Sequence, residues 1–134
     1  MDLESRDKRK KLGFRRFLKS FEYSFYGLYY AIRNEQSVLI MNICLLLTVT
    51  AGFVLKITIN EWIFVTFSIG LVLGSELLNT AIEATVDLVT PQFHPLAKIA
   101  KDTASASAFV FSLMAFIIGC LVFIPNLIEL IGGK

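Results

Sequence analysis

One stretch near the middle of the chain, Glu76-Leu-Leu-Asn79-Thr80-Ala-Ile-Glu83-Ala-Thr-Val-Asp87, gathers residue types that can do chemistry. On a helix advancing ~100° per residue, Asn79, Thr80, Glu83 and Asp87 fall within about 60° of Glu76. One side therefore carries carboxylates, an amide and a hydroxyl, while Leu77, Leu78, Ala81, Ile82 and Val86 make the other side apolar or small. Carboxylates at helical spacing can hold Mg²⁺, which takes hard oxygen ligands and commonly shares them with nucleotide phosphates. A carboxylate partly removed from water can also serve as general base toward a hydroxyl. Lys101-Asp102, with Arg15, Arg16 and Lys19, adds cations that can neutralise a transferring phosphoryl group. Together these groups suit phosphoryl transfer from Mg-ATP to a hydroxyl carried by a lipid. His94 is the only histidine, so ligation must be mainly by oxygen, favouring Mg²⁺ or Mn²⁺ over Zn²⁺. A reading of another class uses the same stripe as a carboxylate-lined ion pathway or assembly subunit without enzymatic activity. It gives no role to the basic helix or to Lys101-Asp102.

The elements that must position these groups follow from composition and periodicity. The chain has 134 residues, 55% hydrophobic and only 18% charged, which predicts a single all-α integral membrane domain. Residues 1–11 read as a basic tail. Of the thirteen Lys and Arg residues, eight (Arg6, Lys8, Arg9, Lys10, Lys11, Arg15, Arg16 and Lys19) lie near the N-terminus. Over 12–33, Phe14, Phe17, Leu18, Phe21, Phe25, Leu28, Tyr29 and Ile32 recur at three- and four-residue steps, the pattern of an amphipathic helix lying in the membrane interface. Asn34-Glu35-Gln36 breaks it. Membrane-spanning helices are expected at 38–55, 61–89 and 104–124. Trp62 stands as an interfacial aromatic, Thr90-Pro91 stops the second span, a loop covers 92–99, and Pro125-Asn126 closes the third span. The second helix, roughly 43 Å long, outruns a ~30 Å hydrocarbon core, so the acidic stripe should emerge at its edge.

Charge sets the topology. The basic N-terminus and the segment bearing Lys98 and Lys101 share one side, which the positive-inside rule makes cytoplasmic; Lys56, Glu61, Glu129 and Lys134 lie opposite. The expected protein is multi-pass in the bacterial plasma membrane, N-terminus inside and C-terminus outside. No signal peptide is expected, because the first apolar run arrives late and lacks a small-residue cleavage pattern. Cys44 and Cys120 lie within apolar runs and read as packing residues. No G-x-x-x-x-G-K-[ST] loop occurs, so a soluble P-loop kinase is excluded, and no nucleic-acid partner is expected.

The stripe closely resembles the E-x-x-N-[ST]-A-I-E-x-x-V-D signature of the prokaryotic diacylglycerol kinase family, which also includes the undecaprenol kinases of Gram-positive bacteria. The likeness extends to Tyr23-Ser24, Gly27-Leu28, Asn34-Glu35, His94 and Ala100-Lys101-Asp102 with Ser105 beyond, covering roughly residues 14–125. The resemblance implies a three-span lipid kinase with an N-terminal surface helix, forming a homotrimer with active sites shared between subunits. It implies Glu76 as the catalytic base and a substrate contact, and Glu35 and Glu83 as ligands of the magnesium bound to ATP. Asn79 and Asp87 would support the site, and Tyr23, Glu35, Glu83, His94, Lys101 and Asp102 would bind nucleotide. Arg16 and Ser105 match positions near the lipid. The Gram-positive likeness, including Lys56 through Glu61-Trp62, favours undecaprenol as acceptor over diacylglycerol. Two departures stand out: Ser37-Val-Leu-Ile-Met41 is apolar where many relatives are polar, and Gln92-Phe93 replaces an acidic residue and Tyr before His94.

Overall fold

The computed structural model describes residues 14–133, folded as four helices: α1 Phe14–Asn34, α2 Gln36–Val54, α3 Ile59–Val89 and α4 Pro95–Gly132. The basic tail at 1–11, residues 12 and 13 of the expected surface helix, the side chains of Phe14 and Arg15, and Lys134 lie outside the described residues. By length and composition α2, α3 and α4 are each able to cross a membrane.

The helices outrun the expected boundaries, each for a local reason. The break between α1 and α2 narrows to Glu35 alone, whose backbone is extended (φ −106°, ψ 115°). Its N–H still donates to the Ala31 carbonyl at 2.9 Å, and its carbonyl accepts from the Leu39 N–H at 3.2 Å. The result is a one-residue corner. Glu61, expected as the first residue of the second span, lies within the first turn of α3, which starts at Ile59. The Thr58 hydroxyl accepts from the Glu61 N–H, and the Glu61 carboxylate reaches back to the Thr58 N–H at 2.7 Å, closing a capping box. The loop expected at 92–99 shrinks because His94 caps α4 and Pro95 opens it; a proline costs a helix nothing at its first position.

Nor does Pro125 end α4. The apolar pattern continues through Leu127, Ile128, Leu130 and Ile131. The Asn126 amide donates to the Val122 carbonyl at 2.7 Å, one turn back on the same helix, and the helix runs on past the proline.

The helices α3 and α4 form the principal packing pair, antiparallel and joined at both ends. Glu61 near the start of α3 accepts from Asn126 near the end of α4 at 2.8 Å. Asp87 in the last turn of α3 pairs with Lys101 in α4 at 2.6 Å. Between the α2–α3 turn and α4, Ile57, Val65 and Val122 make a small core with Trp62, Ile69 and Phe123 around it. Here α2 meets α3 through Gly52, where the Trp62 ring lies so close that an added Cβ would fall 2.7 Å from its edge. Phe53 packs on the same ring, with centroids 5.0 Å apart. Farther along, α2 stands away from α3 and α4 and leaves an apolar cavity of about 520 Å³ lined by Cys44, Thr48, Ile69, Val72, Ala115 and Cys120. Most large apolar side chains face outward, as a bundle surrounded by lipid or by copies of itself requires.

Trp62 is the single tryptophan, so its fluorescence reports this contact. Gly52→Ala should push the ring aside, lower the unfolding temperature by an overpacking cost of about 1–3 kcal/mol, and shift the emission maximum. An unchanged spectrum and melting curve would show that α2 does not depend on this approach.

Candidate functional site

Burial fades along the stripe on α3. Glu76 is buried, with 7% of its surface exposed, and its neighbour Ser75 is buried beside it. Asn79, Thr80 and Glu83 are half-buried, and Asp87 is exposed. A helix of 31 residues spans ~47 Å, longer than a ~30 Å hydrocarbon core, so its acidic end can leave the apolar zone by degrees. Glu76 thus occupies the driest position and Asp87 the wettest.

The stripe's groups are tied to one another and to α4. The Asn79 amide donates to Glu83 Oε1 at 3.1 Å and fixes that carboxylate's orientation, leaving Oε2 for a ligand. With its NH₂ so engaged, Asn79 presents Oδ1, which is buried and accepts no hydrogen bond among the described residues. A buried acceptor left unmet costs stability, so a donor from outside the chain would be well received. Beyond it, the Asp87–Lys101 pair joins the end of α3 to α4. Lys98 pairs with Asp102 one turn apart on α4, as the i,i+4 spacing allows. His94 Nδ1 accepts from the Leu96 N–H at 3.2 Å, so this side chain both caps α4 and keeps Nε2 at the surface.

The other expected site residues lie on α1, at the α1–α2 corner and on α4. Glu35 is half-buried at the α1–α2 corner, while Arg16, Tyr23 and Ser105 are exposed. Among the described side chains from Arg16 to Ala51, only Ala31 and Val38 are buried, one on each side of Glu35. The corner is therefore the best-packed part of the N-terminal half. Among the described residues, no group of three or more His, Cys, Asp or Glu side chains is arranged to hold a metal ion. The donors present are hard oxygens, including the oriented Glu83 carboxylate, and they fit Mg²⁺ shared with phosphates better than a cage built by the protein alone. Lys98 was missed as a partner of Asp102, although its spacing is legible. The Asp87–Lys101 and Glu61–Asn126 links carry no local sequence signal.

Residues 22–123 match the prokaryotic diacylglycerol kinase family. The undecaprenol kinase of Bacillus subtilis (strain 168) is 40% identical over 93% of this chain and 100% of its own length. A diacylglycerol kinase of Pseudomonas aeruginosa is 39% identical over 73% of this chain and 80% of its own. The diacylglycerol kinase of Escherichia coli (strain K12) is 34% identical over 81% of this chain and 89% of its own.

Because Asn79 Oδ1 has no partner among the described residues, Asn79→Leu should melt no lower than the parent chain. The lost bond to Glu83 is offset by removal of an unmet acceptor. A marked fall in the unfolding temperature would mean that Asn79 serves the fold rather than a ligand.

Proposed function

The chain belongs to the prokaryotic diacylglycerol kinase family and is a lipid kinase, and on that premise we propose that it phosphorylates the hydroxyl of undecaprenol. ATP is the phosphoryl donor of a kinase, and the apolar helices make this a membrane protein. Undecaprenol is favoured over diacylglycerol because the likeness to an undecaprenol kinase runs the full length of that relative. The observation that carries the site is the graded stripe, with a buried carboxylate at one end and paired charges at the other.

In this reading Glu76 accepts the proton of the lipid hydroxyl as its oxygen bonds to the γ-phosphorus and the bond to ADP breaks. Its dry setting suits a base that must meet a lipid headgroup instead of bulk water. Glu83, oriented by Asn79, and Glu35 would hold magnesium, which when bound draws charge from the phosphate oxygens. Asp87 supports the site from the last turn of α3. Lys101, Asp102, His94 and Tyr23 would meet the nucleotide, while Arg16 and Ser105 lie toward the lipid.

The interfacial placement of α1 is supported by its apolar and aromatic residues at helical spacing, with Arg16 and Lys19 largely elsewhere. A cytoplasmic N-terminus in the plasma membrane agrees with the basic bias and with the supply of ATP. A homotrimer is supported by the outward apolar surface and by a donor set that the lone chain leaves open. A neighbouring copy would then complete each site.

Purified protein in lipid should consume ATP when undecaprenol is supplied; equal or faster turnover with diacylglycerol would reassign the acceptor. Glu76→Gln should lower the rate by ~10²–10⁴-fold with the assembly intact, and retained activity would sink the base assignment. Glu83→Gln should raise the magnesium concentration needed for half-maximal rate. If magnesium dependence is unchanged in that variant, the metal is held elsewhere.

A further inference from the structure

We propose that Asp87 is a positioning residue that holds the Lys101 ammonium ready for the phosphates of the nucleotide. The inference rests on the reading above that Lys101 meets the nucleotide, and it assigns Asp87 a role through that cation.

Three observations carry it. First, the pair crosses from the last turn of α3 to α4, with Lys101 Nζ 2.6 Å from Asp87 Oδ1. An ammonium has three donors, so a single carboxylate oxygen leaves two free for phosphate oxygens. Lysine otherwise sweeps a wide volume on its flexible four-carbon stem, and a fixed anion confines it before the ligand arrives. Second, the neighbouring acid does not compete. Asp102 follows Lys101 directly but is engaged by Lys98, so each cation has its own carboxylate. Third, the pair is open to solvent, with side chains 36% exposed for Lys101 and 62% for Asp87. Exposed ion pairs contribute little to stability, so a purely structural role would be a weak one. The contrast is with the opposite end of the bundle. There the Glu61 carboxylate is filled by the Thr58 N–H, the Thr58 hydroxyl and Asn126, leaving it little capacity for a ligand.

The test measures KM for Mg-ATP and kcat at saturating undecaprenol, using the full chain and the variants Asp87→Asn, Asp87→Glu, Lys101→Met and Asp87→Asn with Lys101→Met. Asp87→Asn should raise KM for Mg-ATP by about two- to fivefold, the range open to an exposed ion pair, with kcat and the lipid KM within twofold of the parent. Asp87→Glu, which keeps the carboxylate, should recover most of the loss. In the Lys101→Met background, Asp87→Asn should add no further rise. KM does not depend on how much of a preparation is folded, so a less stable variant still reads out. An unchanged KM in Asp87→Asn, or the same increment with and without Lys101, overturns the proposal. If Lys101→Met itself leaves KM unchanged, the fault lies with the nucleotide role given to Lys101, and the proposal falls with it.

Discussion

The packing of α3 against α4 as an antiparallel pair is the constraint on which the placement of the other groups depends, and a polar link marks each of its ends. Along α3, Glu61 and Asp87 are separated by ~39 Å; along α4, Lys101 and Asn126 are separated by ~38 Å. The spacings agree, so both links can close on straight helices without sliding one past the other. Between the links the contact surface is apolar and directionless, and packing there tolerates small slips more readily than a hydrogen bond does. The separation also matches a bilayer's hydrocarbon core plus part of its headgroup zones. Charge therefore sits where water can reach it, and the apolar contact between the helices lies where water cannot.

From that register follows the character of the stripe. Glu76 faces away from solvent while Asp87 reaches it, so one helical face samples a gradient from dry to wet over about three turns. A lipid hydroxyl and a nucleotide phosphate need opposite environments, and the gradient offers both within one element. Asn79 stands between them with an acceptor unmet among the described residues. Such a group is a cost to the folded monomer, consistent with a site that awaits an outside donor.

The N-terminal half is attached more loosely. Its buried side chains cluster at the Glu35 corner, and α2 grips the bundle mainly where Gly52 admits Trp62. The cavity alongside α2 and the outward-facing apolar side chains leave much surface for lipid or neighbouring copies to cover. A carboxylate at the corner and an open donor set on α3 make sense together if the site closes in an assembly rather than in one chain.

Much was legible in the sequence, for physical reasons. Uncharged runs long enough to cross a bilayer announce membrane helices, and the spacing of Glu76, Asn79, Glu83 and Asp87 fixes a shared face once the stretch is helical. The His94-Pro95 start, the Thr58–Glu61 cap and the Lys98–Asp102 spacing were also present as local signals, although boundaries drawn from hydropathy alone passed over them. Pro125 misled, because the apolar pattern beyond it through Leu127, Ile128, Leu130 and Ile131 keeps the helix packed, and Asn126 ties that end to α3. The sequence by itself determined the class, the spans and the chemistry of one face, since those depend on residue type and periodicity. Only the tertiary structure decided that Lys101 belongs to Asp87, that Asn126 belongs to Glu61, and that Glu76 alone of the three acids is buried. Those depend on how distant helices are set against each other, which no local spacing encodes.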